Sequence, residues 1–146
     1  MSFDRLLELA QEQEKSCALR LAEATQATLR QQQQMTMLQQ YRLDYLGQLG
    51  QRGQQGLGAS AFSQLQHFLS RLDGLIVQQQ YKISQHQQAE AERRQQWLDA
   101  HQRREALAWL VAQQAEKLRQ ARERREQRES DEWVTQQWAR RSSSSW

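Results

Sequence analysis

The chain has 146 residues, no proline, a single cysteine and a formal net charge of +3, with an isoelectric point near 9.4. Only 38% of residues are apolar and the mean hydropathy is −1.00. These values exclude a thick globular core, but a narrow seam between helices needs only about two apolar positions in seven. No apolar run approaches the length of a membrane span. Cys17 has no partner for an internal disulfide. The start, MSFDRLLELAQEQ, has acid and glutamine where a signal peptide needs a long apolar run, so a cytoplasmic protein is expected.

The first predicted element is a helix over about 3–49. Steps of alternating threes and fours from Phe3 pass through Leu7, Ala10, Glu14, Cys17, Leu21, Ala24, Thr28, Gln31, Met35, Leu38, Arg42, Tyr45 and Leu49. Most of these are apolar or small, which is the pattern of a coiled-coil seam. Glu14, Gln31 and Arg42 interrupt it, and such breaks set register at some expense of stability. Ser2 and Asp4 are the candidate caps.

Five of the six glycines then fall between Gly47 and Gly58. Glycine costs about 1 kcal/mol per helical position relative to alanine, so the cluster predicts a turn over about 50–59. Ser60, or a residue within two of it, is the expected cap of the next helix.

The second predicted helix covers about 60–138. Its seam path runs Phe62, Leu65, Leu69, Leu72, Ile76, Gln79, Ile83, His86, Glu90, Arg93, Trp97, Ala100, Arg104, Leu107, Val111, Gln114, Leu118 and Ala121. The path is rich near the turn, thin from His86 to Arg93, and recovers around Trp97 and Leu107–Val111. At 1.5 Å per residue the first helix measures roughly 70 Å and the second over 100 Å, so the second outruns its partner. Trp97 and the Trp109–Val111 cluster are expected on the seam, and Trp133 and Trp138 beyond it. A flexible tail is expected over 139–146. The fold class that follows is all-α, a long antiparallel two-helix coiled-coil hairpin, as one domain over 1–146.

Chemistry finds few footholds. His67, His86 and His101 lack the three- or four-residue spacing of a helical metal site, Cys17 lies on the seam with no nearby base, and the glycines do not form GxxxxGK[ST]. No catalytic residue, metal or cofactor is expected. Arg119–Arg128 raises the question of nucleic acid, but Glu116, Glu123, Glu126 and Glu129 dilute its charge, and pairs such as Arg122 with Glu126 suit a solvated helix. A helical nucleic-acid-binding protein using this region stays open as an alternative, as does a homo-oligomeric coiled coil.

Tyr41 and Tyr45 lie one helical turn apart, as do Phe68, Leu72 and Leu75–Ile76. The seam uses only some of them, and the surplus makes an apolar stripe beside the turn, suited to docking a partner. The block Met37-Leu38-Gln39-Gln40-Tyr41-Arg42-Leu43-Asp44-Tyr45 precedes the glycines, and Phe68, Leu72 and Ile76 follow them. A tryptophan-bearing Arg/Gln-rich helix with Trp97 comes next, then Asp131-Glu132-Trp133. In this order and spacing the chain resembles the FliJ family of flagellar type III export proteins over most of its length.

The resemblance implies a non-enzymatic coiled coil like the central stalk of rotary ATPases. It implies three partners: the export ATPase hexamer (FliI-like), the membrane export gate protein (FlhA-like) and export chaperones that it escorts. No nucleic acid is implied, and the location is peripheral, at the cytoplasmic face of the inner membrane. The gate-binding face, carried over by position, comprises Gln34, Leu38, Tyr41, Tyr45, Phe68, Leu72, Leu75 and Gln79. Leu75 stands where a family member can have alanine, and Gln79 where it can have histidine. The stalk protein of a virulence type III secretion system is close kin and remains an alternative.

Overall fold

The computed structural model describes residues 2–56 and 58–144. It consists of two long helices, α1 (Phe3–Gln54) and α2 (Ala59–Ser144), with no strand among the described residues. The fold is an all-α helical hairpin.

Ser2 caps α1. Its Oγ accepts the amide of Arg5 at 3.3 Å and its carbonyl accepts the amide of Leu6 at 3.2 Å, while Asp4 places a negative charge in the first turn. The other end of α1 runs past the expected boundary near 49. Gly47, Gly50 and Gly53 all lie inside the helix, because glycine lowers helix propensity without removing a hydrogen-bonding group. Leu49 still reaches the seam, where it is half-buried. The stop comes at Gly56, whose φ of +82° belongs to the left-handed region that side chains disfavour. The second helix opens on a backbone cap. The Gly58 carbonyl accepts the amide of Phe62 at 3.0 Å, so Ser60 lies inside the first turn and the cap sits two residues before it. At its far end α2 continues through Arg140 and Arg141 to Ser144. There the Ser143 hydroxyl donates to the Arg140 carbonyl at 3.0 Å, a local side-chain bond to the backbone of the last turn. Ser145 and Trp146 of the expected tail lie outside the described residues.

The chain divides into two compact units, Gln13–Ala100 and Met1–Glu12 with His101–Trp146. In the first unit the helices run antiparallel. Moving forward along α1, the cross-helix partners step backward along α2: Thr25 meets Glu90 at 3.2 Å, Gln31 meets Gln79 at 2.8 Å, and Arg42 meets Asp73 at 2.6 Å. The Tyr45 and Phe68 rings stack with centroids 4.3 Å apart. Cys17, Thr28 and Met35 of α1 are buried against the face of α2 that carries Leu72, Gln79, Ile83 and Ala100. No large side chain among the described residues is completely buried, which is the mark of a core one layer thick.

Glu90 sits half-buried on this seam. Its carboxyl is held below the ordinary 4.5, first by the Thr28 hydroxyl and then by Thr25 and Arg94, against an opposing push from burial. The single Thr28 proton is also directed at the Ala24 carbonyl, 3.1 Å away, so its help to Glu90 requires the hydroxyl to turn. A carboxylate with a lowered folded pKa stabilises the fold above its unfolded value, and that contribution is lost as pH falls through the folded value. Urea titrations should therefore show stability falling as the solution is acidified below about pH 4.5. Glu90→Gln should flatten part of that slope. An identical acid slope in both proteins would show that Glu90 does not carry it.

In the second unit Leu6 and Leu7 are half-buried and Ala10 is buried, as Arg104, Leu107, Ala108 and Val111 of α2 are half-buried. Trp109 departs from the expected packing and is largely exposed. It lies two residues from both Leu107 and Val111, which a helix turns to nearly the opposite side. Leu118 and Ala121 are exposed as well. Here α1 contributes only Phe3–Glu12, which rises roughly 15 Å, against roughly 65 Å for the α2 segment beyond Ala100. Every residue from Lys117 to Gln136 is exposed.

Candidate functional site

The eight positions of the expected gate-binding face divide into two sets within the Gln13–Ala100 unit. Leu38, Tyr45, Leu72 and Gln79 occupy seam positions: Leu72 and Gln79 are each only 5% exposed, and Leu38 and Tyr45 are half-buried. Gln79 is held from inside, its Nε2 donating to the Gln31 carbonyl at 2.8 Å and to Gln31 Oε1 at 2.9 Å. Gln34, Tyr41, Phe68 and Leu75 are exposed. Each of these four immediately precedes a seam residue: Met35, Arg42, Leu69 and Ile76. In an antiparallel pair the positions just before the seam on both helices line the same edge, so the four form one strip.

The two edges of the pair differ in chemistry. Arg42–Asp73 and Thr25–Glu90 bridge the helices on the opposite edge, where Arg94 also meets Glu90 at 3.1 Å. The strip edge presents Tyr41 at 51% exposure, Leu75 at 48% and Phe68 at 39%, with no formal charge among its four residues. Phe68 is propped by its contact with Tyr45, and that contact links the exposed strip to the seam below. Such an edge favours an apolar or aromatic partner surface, with Gln34 as the polar margin.

The sequence reading missed a second exposed pair, Val77 and Tyr81, on the outer side of α2. Their spacing of four was the available signal. Among the described residues no three His, Cys, Asp or Glu side chains gather as a metal site would need. Cys17 is buried, with Gln13 Nε2 at 3.8 Å from its sulfur. Among the arginines of Arg119–Arg128, Arg119 pairs with both Glu116 and Glu123. That pairing raises the arginine's affinity for its proton, Glu116 being the larger cause, and lowers the Glu116 carboxyl. The charge of Arg119 is thus answered within its own helix.

The comparison with protein families decides the identity. The model described as "Flagellar FliJ protein" matches residues 1–143. The chain belongs to the FliJ family. No curated protein and no solved structure gives a significant match. FliJ membership makes this a protein associated with flagellar export, within a family of non-enzymatic export components. No helix among the described residues of this FliJ-family chain is long and apolar enough to cross a membrane.

Proposed function

We propose that this chain is a stalk-like, non-enzymatic subunit that joins the FliI-like export ATPase ring, links it to the FlhA-like export gate and escorts export chaperones. It works as a single domain over 1–146, in the cytoplasm and peripherally at the inner face of the membrane. The end carrying both termini enters the ring, and the end near the turn meets the gate. The observation that supports the gate contact is the uncharged strip of Gln34, Tyr41, Phe68 and Leu75, set on one edge of a pair whose other edge is closed by polar bridges. Leu38, Tyr45, Leu72 and Gln79 belong to the same face as its foundation, holding the strip from within the seam.

Tyr41→Ala combined with Leu75→Ala tests the contact. Both side chains are about half exposed, and neither is among the buried seam residues, so the helix content read by circular dichroism should be unchanged. Capture on the cytoplasmic domain of the export gate protein should weaken by about 30-fold, the effect of losing about 2 kcal/mol from the centre of an interface. Undiminished capture by the double variant would remove this strip from the gate contact.

A further inference from the structure

Residues 116–132 of α2 pose a physical question of their own. They carry as many basic as acidic side chains, and Leu118 and Ala121 are their only apolar residues. All are exposed except Glu116, which is half-buried, yet the helix runs through them without a break. Most helical stability in proteins comes from packing an apolar face rather than from propensity, and this stretch has no apolar face to pack. A seam with a second chain is not available, because 122–132 contains no apolar residue for one.

The spacing supplies an alternative. Arginine recurs at every third position from Arg119 to Arg128, and each of these lies four residues ahead of a glutamate in the series from Glu123 to Glu132. Residues four apart are neighbours on a helix surface. Two rows of opposite sign therefore climb the helix side by side. Each row alone repels itself, and placed together they neutralise. The lower end is formed in the structure, where Arg119 reaches both Glu116 and Glu123. Gln127 adds a bond to Asp131 at 3.1 Å, and the Thr135 hydroxyl donates to the Asp131 carbonyl at 2.8 Å. Immediately above the ladder, Trp133, Val134 and Trp138 are exposed together on one side of the helix.

We propose that 116–132 is a self-supporting charged helix, a stiff arm that holds the Trp133–Val134–Trp138 cluster at a set distance from the last packed layer of its unit. The inference stands independently of the gate contact. Its stiffness comes from charge order, not from burial.

The test uses the full chain with Cys17→Ala and spin labels at Gln114→Cys and Gln136→Cys, which flank the ladder without entering it. A continuous helix places these sites about 33 Å apart. Pulsed dipolar spectroscopy should return one narrow distance distribution near that value, independent of protein concentration. Glu123→Gln, Glu126→Gln and Glu129→Gln together remove three of the row's four glutamates, leave Arg122 and Arg125 without a glutamate four residues on, and should broaden the distribution toward shorter distances. Exchanging one pair, Arg122→Glu with Glu126→Arg, keeps the charges matched and should keep it narrow. A broad distribution in the parent, a narrow one in the triple variant, or additional distances that grow with concentration would each overturn the proposal. The last result would show that the arm is half of an intermolecular pair.

Discussion

Leu72→Asp should unfold the packed centre of the Gln13–Ala100 unit, lowering stability by roughly 3–5 kcal/mol. Leu72 is 5% exposed in a core one layer thick. A carboxylate there loses its hydration among Leu69 and Ile76 one turn away, and the nearby seam cation, Arg42, is already engaged by Asp73 at 2.6 Å. The same position changed to alanine keeps the layer dry and removes only packing, so its expected loss is about 2–3 kcal/mol. Leu75→Asp is the decisive companion. It lies three residues along the same helix but is half exposed, and its expected effect is within about 0.5 kcal/mol. Urea unfolding followed by circular dichroism separates the three. Equal losses for Leu72→Asp and Leu75→Asp would mean that the seam and the strip have been assigned to the wrong sides of α2.

Replacing Gln31 and Gln79 together by leucine should act in the other direction. The two amides form a polar layer in an otherwise largely apolar stretch, with Gln79 buried and its nitrogen shared between the Gln31 carbonyl and side chain. Desolvating both costs nearly what their mutual bonds return, so a leucine pair of similar size should stabilise the fold by about 1–3 kcal/mol. The expected loss is uniqueness. A buried polar pair penalises every alignment that leaves one member facing an apolar residue, which is how a single polar seam position fixes register and the number of chains. The double variant should melt higher in a thermal scan yet sediment as more than one species. Gln79→Leu alone strands the Gln31 amide and should be less stable than the double variant. A doubly substituted protein that stays a single species would show that register is held elsewhere, with Arg42–Asp73 and Thr25–Glu90 among the cross-helix bridges that remain.

The threes and fours from Cys17 through Leu21, Ala24 and Thr28 to Met35 mark one side of α1 as the buried side, and the structure uses that side. This was readable because helical periodicity is a property of a single segment and needs no knowledge of its partner. The reversal between Gly47 and Gly58 was readable for the same reason, since backbone freedom is local. Tertiary structure alone decided the rest. Gly47, Gly50 and Gly53 can join a helix or leave it, and the ladder of hydrogen bonds running on to Gln54 settled the choice, with Gly56 as the stop. The seam path already put Leu72 inside and left Leu75 off it. What the path could not supply was the facing partner: the pairing of Gln31 with Gln79 and Arg42 with Asp73, residues 48 and 31 positions apart, set Leu75 on the same edge as Tyr41. Leu118 fits the seam pattern of α2 as well as Val111 does, and it stays exposed because the facing stretch of α1 spans only Phe3–Glu12. A pattern along one helix states what that helix is able to bury. What it does bury is set by how much of the other helix lies opposite.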